Sequence, residues 1–187
     1  MIAPIAVLDA CVLYPVVVRD LLLTLSTNAA IEPRWSAEIL DEMRRNVLDN
    51  HPEIATDHFE TKLIGAMTRR FPKALVTGFE HLIASMDNDP KDRHVAAAAV
   101  HAGATMLITD NVRDFRGLSL PNNNVRVVTP AQLVTELLET EPDVFRVAVE
   151  LMAARKQRPP MTSDEVVDAL ARHQSFRALS QAMRDAI

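Results

Sequence analysis

Residues 87 to 115 read DNDPKDRHVAAAAVHAGATMLITDNVRDF, and this stretch predicts a helix followed by a buried strand. We place Asp89 as the helix N-cap, with a proline at the first helical position, and expect Asp92 to reach back as the acid of a capping box. Gly103 is expected to end the helix, and the apolar run at residues 105–109 follows as a strand. Acidic side chains therefore stand at the start of the helix and beyond the end of the strand.

These acids lie beside apolar residues in the predicted structure. Asp92 precedes Val95 by three residues, so both share one face of the helix. Asp110, Asn111 and Asp114 follow the strand, at the end where open α/β sheets carry their binding sites. The stretch thus predicts a functional site at one edge of a sheet.

Strand-like and helix-like segments alternate over most of the chain. This alternation predicts an α/β fold, in which a parallel sheet carries helices on both faces. The predicted segments are strands at residues 5–8 and 125–128, helices at 15–25, 36–50, 56–70 and 130–140, and a loop at 121–124. The second of these helices is expected to start at Trp35, with Ser36 as its N-cap. The type of residues 74–86 stays undetermined.

The pattern changes to helices alone from Glu141 onward. An amphipathic helix comes first, and Thr162 with Glu165 is expected to form a capping box for the next one. We therefore predict two parts, an α/β domain at residues 1–140 and a helical C-terminal extension at residues 141–187.

The overall composition is that of a globular protein, with 187 residues of which 48% are hydrophobic and 24% charged. A net charge of −5 argues against a passive nucleic-acid coat, because phosphate binding normally needs a basic face. It does not exclude a nuclease, because an acidic cluster loaded with a divalent metal reverses its local charge.

The expected location follows from cysteine usage and from the apolar segments. The single cysteine, Cys11, excludes an internal disulfide and fits a reducing cytosol. The first eight residues lack the basic start of a signal peptide, and Arg19 with Asp20 interrupts the longest apolar run. We expect a cytoplasmic protein that does not bind membranes.

Acids recur at five positions that the predicted architecture would bring together: Asp9, Glu42, Asp92, Asp110 and Asp114. Each of them alone is explained by a turn, a cap or a surface ion pair. Several ionised carboxylates do not lie close together unless a cation compensates them. Oxygen ligands of this kind suit Mg²⁺ or Mn²⁺ rather than zinc, and such a site would activate water for phosphodiester displacement.

Basic residues occur near the same positions. Arg93, Arg113 and Arg116 are able to bind phosphate oxygens, although each is also explained as a solvated surface residue. We assign Arg93 and Arg113 as candidate substrate-binding residues.

Other chemistries fit the sequence less well. His94 and His101 are seven residues apart, which is not the spacing of a helical zinc pair. The four glycines form neither a GxGxxG motif nor a P-loop, and aromatic residues at 4% support no base-stacking platform. Cys11 is interpreted as a buried small hydrophobe.

Four segments resemble the motifs of PIN-domain proteins, in particular the VapC-type toxins of bacterial toxin–antitoxin pairs. They are LDACVLYP at residues 8–15, SAEILDEM at 36–43, DPKDRHVAAAAVHAGA at 89–104 and LITDNVRDF at 107–115. The resemblance covers roughly residues 3–138, and the helical tail resembles the C-terminal extension of a subset of these toxins.

The resemblance implies a three-layer α/β/α fold with a mostly parallel sheet. It implies an Mg²⁺-dependent endoribonuclease, commonly directed against tRNA, rRNA or mRNA, with Mn²⁺ as an alternative metal. It also implies a cognate antitoxin as partner, and a homodimer or a toxin–antitoxin hetero-oligomer as the assembly.

Positions in the motifs assign roles to individual residues. By this resemblance Asp9, Glu42 and Asp92 are the first three acids of the family site. A further position that is often aspartate holds Asn111 here, which keeps an oxygen ligand but removes one charge. The candidate metal ligands are therefore Asp9, Asp92, Asn111 and Asp114, and the candidate catalytic acids are Asp9, Glu42, Asp92, Asp110 and Asp114.

Two other functions remain open at this point. One is a non-catalytic binding protein that keeps the PIN fold, which the asparagine at position 111 leaves possible. The other is a structure-specific DNA nuclease with the same acids. The three acids at positions 9, 42 and 92 favour an enzyme, because a cluster of carboxylates is not needed in a protein that only binds a partner.

Overall fold

A parallel β-sheet forms the centre of the computed structural model, which describes residues 3–53, 59–115 and 125–187. The five strands of this described part are β1 (Ile5–Leu8), β2 (Glu32–Ser36), β3 (Leu75–Val76), β4 (Met106–Ile108) and β5 (Arg126–Val128). They lie in the order β3-β2-β1-β4-β5, and every pairing between neighbours is parallel. The predicted parallel α/β sheet is confirmed.

Helices connect the strands and make up the C-terminal region. The α-helices of the described part are α1 (Ala10–Leu13), α2 (Val16–Thr27), α3 (Ala37–Asn50), α4 (Gly65–Arg70), α5 (Arg93–His101), α6 (Pro130–Thr140), α7 (Pro142–Arg155), α8 (Ser163–Arg172) and α9 (Ser180–Asp185). The other helical segments are a π-helix at Phe59–Ile64 and 3₁₀-helices at Glu80–Ser85, Pro90–Asp92, Val112–Phe115 and Gln174–Leu179. Within this part of the chain, no helix has the length and apolar character needed to cross a membrane.

The strand order places a topological switch point beside β1. β2 and β3 continue the sheet on one side of β1, whereas β4 and β5 continue it on the other. Leu8 pairs with Ile108, so Asp9 and Thr109 are the first residues beyond the paired ends of β1 and β4. Open α/β sheets bind ligands at this kind of position, outside the carboxyl ends of strands where the order reverses.

The second predicted helix starts later than expected. Trp35 belongs to β2, and α3 begins at Ala37 with Ser36 as its N-cap, whose Oγ accepts a hydrogen bond from the Ile39 N–H at 3.2 Å. The cap is confirmed, but the strand before it was not predicted. Its sequence, EPRWS, contains a proline and two charged residues and lacks the apolar run that marks a buried strand.

The helix predicted at residues 56–70 is continuous over its described part, where the π-helix leads directly into α4. Its described part consists of the π-helix and α4, and the undetermined region at residues 74–86 contains β3 and a 3₁₀-helix. Residues 54–58, the loop predicted at 121–124 and Arg116 lie outside the described residues.

The start of α5 confirms one predicted cap and contradicts another. The Asp89 carboxylate accepts a hydrogen bond from the Lys91 N–H at 3.1 Å, as an N-cap does. Asp92 does not complete a capping box, because the Asp89 N–H donates instead to the backbone oxygen of Asp114 at 3.0 Å. This bond ties the helix start to the loop after β4. Gly103, with φ of +60°, ends the helix as predicted.

The C-terminal region is helical, as predicted, and packs on the rest of the chain. Thr162 and Glu165 form the expected capping box of α8. The side chains of Phe145 and Phe176 are fully buried within the same core as the sheet. A guanidinium nitrogen of Arg155 lies 3.0 Å from the Asp20 carboxylate on α2. Only one residue separates α6 from α7, and the division at residue 140 stays a prediction.

Candidate carboxylate site

Asp9 directly follows the carboxyl end of β1 and is buried, with only 3% of the residue exposed. Its Oδ1 accepts a hydrogen bond from the Ala10 N–H at 2.7 Å, which makes Asp9 the N-cap of α1. Its Oδ2 accepts one from the Thr109 hydroxyl at 2.6 Å, across the end of β4. Charge-assisted hydrogen bonds of this kind hold the carboxylate in one orientation. Asp9 is therefore fixed at the switch point of the sheet.

Cys11 takes part in the same network, contrary to its interpretation as a buried hydrophobe. Its thiol donates to Asp9 Oδ2 at 3.3 Å and lies 3.3 Å from the Thr109 hydroxyl. Its sulfur accepts a hydrogen bond from the Asp110 N–H at 3.3 Å. Burial, followed by the charge of Asp9, raises the pKa of the Cys11 thiol to about 12. The thiol is consequently protonated at neutral pH and serves as a hydrogen-bond donor, not a nucleophile.

Asp92 brings a second buried carboxylate to this edge of the sheet. Its side chain is 10% exposed, and its Oδ2 has no hydrogen-bond partner among the described residues. Burial and then the negative charge of Asp9 raise the pKa of the Asp92 carboxyl to about 6. The charge of Asp9 can act in this way only because the two acids lie near one another.

The raised pKa of Asp92 predicts a pH dependence of stability. An aspartate in an unfolded chain has a pKa of about 3.9, so the folded protein binds this proton more tightly than the unfolded chain does. The resulting stabilisation is fully present below pH about 4 and is lost as the pH rises through about 6. We therefore expect the free energy of unfolding of metal-free protein to fall more over this interval than that of an Asp92→Asn variant. Urea titrations with chelator at several pH values measure the free energy of unfolding of each protein. If the two proteins show the same dependence of this free energy on pH, the raised pKa of Asp92 is contradicted.

Asp114 lies on the loop after β4 and shares a cation with Asp92. Lys91 Nζ is 3.2 Å from Asp114 Oδ2 and 3.9 Å from Asp92 Oδ2. The Asp114 charge also contributes to the raised pKa of Asp92, after the contributions of burial and Asp9. One lysine charge therefore faces a group of acids that it neutralises only in part.

Glu42 lies on α3 at the other side of a cavity of about 710 Å³. Its Oε2 is 3.9 Å from His94 Nε2, and its side chain is 36% exposed. The cavity is lined by Ala37, Glu38, Asp41, Glu42, Arg45, Asn46, Lys91, Asp92 and His94. His94 was considered in the sequence only as a zinc ligand. Its place on α5, two residues after Asp92, was the available signal that it would face this cavity.

The side chains of Asp110, Asn111, Arg113 and Arg93 have other surroundings, although the N–H groups of Asp110 and Asn111 donate to Cys11 and Thr109. The Asp110 carboxylate accepts a hydrogen bond from the Ser175 hydroxyl and faces the C-terminal region. Asn111 and Arg113 are exposed, and both line a second cavity of about 450 Å³ that also includes Asp114. The Nε of Arg93 donates to the backbone oxygen of Asn88 at 3.3 Å.

The donor set fits a hard divalent cation that keeps part of its water shell. In residues 3–53, 59–115 and 125–187, no three His, Cys, Asp or Glu side chains converge closely enough to enclose a metal by themselves. Mg²⁺ is commonly bound through one or two carboxylates and several waters, whereas structural zinc needs four nitrogen or sulfur ligands. Asp9, held in one orientation, and the Asp92 oxygen without a hydrogen-bond partner are the two carboxylates that could bind such a cation.

Two buried acids at the switch point of a parallel sheet define an α/β protein with a carboxylate site. The chain belongs to the PIN domain family, whose model matches residues 6–113. Residues 130–184 match a second model, described as the VapC50 C-terminal domain. The resemblance to VapC-type PIN proteins with a C-terminal extension is confirmed.

One relative among curated proteins is the putative ribonuclease VapC50 of Mycobacterium tuberculosis (strain ATCC 25618 / H37Rv). It is 31% identical over 97 residues, which are 52% of this chain and 57% of that protein. The match therefore spans less than two thirds of the relative's length. No solved structure matches the chain.

Proposed function

We propose that this chain is an Mg²⁺-dependent endoribonuclease that acts as the toxin of a toxin–antitoxin pair. The observation that carries the proposal is the pair of buried carboxylates, Asp9 and Asp92, at the switch point of a PIN-family sheet. The name of the curated relative, a putative ribonuclease, agrees with the proposed chemistry. A cognate antitoxin and a homodimeric or hetero-oligomeric assembly belong to the same proposal.

Asp9 and Asp92 would hold the metal, and Asp114 and Asn111, which follow β4, stay candidate ligands. When bound, the ion supplies an acidified water and stabilises negative charge on the phosphodiester group. The same ion relieves the repulsion between the two acids, which the Lys91 ammonium group neutralises only in part. Mn²⁺ suits the same oxygen ligands and is the expected substitute.

Residues of the protein orient the Asp9 carboxylate in the absence of any ligand. Thr109 and Cys11 donate hydrogen bonds to Asp9 Oδ2 and fix the direction of that oxygen. Fixed dipoles and charges of this kind lower the cost of reorganisation during the reaction. Thr109 and Cys11 are therefore assigned to positioning, and the acids to metal binding.

The cavity between α3 and α5 is the proposed path of the RNA strand. Arg45 on α3 and Lys91 next to Asp92 supply positive charge on its lining, and Glu42 on α3 faces His94 on α5 across 3.9 Å. Positive side chains next to a metal site position phosphate groups without reading sequence. Arg93 and Arg113 stay candidates for the same task.

The test is cleavage of purified total RNA by partner-free protein with Mg²⁺, with Mn²⁺ and with chelator. Discrete fragments that require metal are the expected result, and single- and double-stranded DNA are incubated in parallel. Cleavage of DNA with intact RNA would assign a DNA nuclease of the same fold. Folded protein that neither binds metal, measured by calorimetry, nor cuts nucleic acid would assign a non-catalytic binding protein.

A further inference from the structure

The C-terminal region contacts Asp110, which follows β4 near Asp9. The Ser175 hydroxyl donates a hydrogen bond to Asp110 Oδ1, and His173 Nε2 lies 3.6 Å from Asp110 Oδ2. The Asp110 side chain is 13% exposed. Phe176, which follows Ser175, is fully buried and anchors this segment in the core. Ser175 therefore holds one oxygen of Asp110 by a hydrogen bond, and His173 lies near the other oxygen at a distance too long for one.

The backbone of Asp110 belongs to the network around Asp9. The Asp110 N–H donates to the Cys11 sulfur at 3.3 Å, and the Cys11 thiol donates to Asp9 Oδ2 at 3.3 Å. The preceding residue, Thr109, donates to the same carboxylate oxygen at 2.6 Å. A displacement of Asp110 would consequently alter both donors of Asp9 Oδ2.

We propose that the C-terminal extension positions the carboxylate site, with Ser175 holding Asp110 and thereby orienting Cys11 and Asp9. In this arrangement Ser175 is a positioning residue that does not contact the metal or the RNA. The effect on metal binding rests on the proposed function. The effect on the geometry around Cys11 does not.

The extension also contacts the domain in places that lie outside this network. Arg155 binds Asp20 and the Thr24 hydroxyl on α2, and Arg184 binds Asp168 within the extension. These contacts supply stability without touching the Asp9 network. The Arg184 pair is exposed, so its removal provides a matched control within the same region.

Cys11 offers a direct measurement, because it is the only cysteine in the chain. Cys11 is half-buried and its sulfur is hydrogen-bonded to Asp9 and to the Asp110 N–H, so we expect it to react with a disulfide reagent such as DTNB faster when these hydrogen bonds open. One hydrogen bond contributes roughly 1 kcal/mol, so its loss should increase the population of a local opening about fivefold to tenfold. The reaction rate of folded protein under fixed conditions reports this population.

We expect Ser175→Ala to increase the DTNB reaction rate of Cys11 about fivefold to tenfold, because the substitution removes the hydrogen bond to Asp110. Ser175→Thr keeps the hydroxyl and should react at a rate close to that of the unmodified chain. Arg184→Ala should change the rate by less than about twofold, because it removes an exposed ion pair outside the network. In an Asp110→Ala background, Ser175→Ala should have no further effect, since its partner is already absent.

Two results would overturn the proposal. One is an unchanged rate in Ser175→Ala; the other is an equal increase in Arg184→Ala, which would indicate general loosening of the extension. Calorimetric titration with Mg²⁺ is the second measurement, and it should show several-fold weaker binding by Ser175→Ala. If the unmodified chain binds no Mg²⁺, the proposed nuclease function fails, while the labelling rates still decide whether Ser175 positions the Asp9 network.

Discussion

Replacing Asp9 by asparagine is expected to lower the rate of metal-dependent RNA cleavage by about a thousandfold, equal to about 4 kcal/mol of transition-state stabilisation. The substitution removes the charge of the most buried metal-ligand candidate. It also places an amide where Oδ2 now accepts hydrogen bonds from Thr109 and Cys11. The amide oxygen can still accept from the Ala10 N–H, so the cap of α1 is retained. Cleavage rates at saturating Mg²⁺ measure the effect.

Asp49→Asn is the matched control for this experiment. Asp49 lies on the exposed side of α3 and does not line the cavity. Its replacement removes the same charge and should leave the rate within about twofold, because a distant exposed charge is screened by salt. Cleavage by Asp9→Asn at the rate of the unmodified chain would show either a contaminating nuclease or a site that does not need this acid.

Replacing Asp92 by asparagine is expected to abolish stabilisation by Mg²⁺ without destabilising the metal-free fold. The metal-free variant should melt at the same temperature as the unmodified chain or higher, because the repulsion from Asp9 and the cost of burying a charge are both removed. Its side chain forms no hydrogen bond to the start of α5, so no cap is lost. The stabilisation by Mg²⁺, about 2.7 kcal/mol at a concentration of a hundred times the dissociation constant, should disappear.

The measurement is thermal unfolding in chelator and in increasing Mg²⁺, with ionic strength held constant by a monovalent salt. Asp114→Asn is the informative comparison, since Asp114 is less buried than Asp92 and shares Lys91 with it. It should weaken Mg²⁺ stabilisation and leave part of it in place. An Asp92→Asn protein that gains as much stability from Mg²⁺ as the unmodified chain would exclude Asp92 as a ligand.

The central strands of the sheet were predictable because their residues are apolar and uninterrupted. β1 and β4 are buried along most of their length and read as short hydrophobic runs. β2 and β3 were not predicted, and the reason differs between them. β2 contains a proline and charged residues, and β3 has only two residues, too few to establish an alternating pattern.

The candidate site was predictable where it depends on local position along the chain. Asp9 follows a strand and Asp92 starts a helix, and both positions are visible in the sequence. The role of Cys11 was misjudged because its partners include residues 98 and 99 positions later. The capping box of Asp92 was wrong for a related reason: the N–H that it required is used by the backbone of Asp114.

The hydrogen bond between Ser175 and Asp110 sets an order of events during synthesis of the chain. Asp110 leaves the ribosome 65 residues ahead of the serine that binds it. At about 5–20 residues per second this separation corresponds to about 3–13 s of translation. β1 to β4 are already synthesised when this interval begins, and β5 follows during it, while the loop beside Asp9 lacks its partner. The nascent chain therefore contains Asp110 before it contains Ser175, and the hydrogen bond between them can form only after α8 has been synthesised.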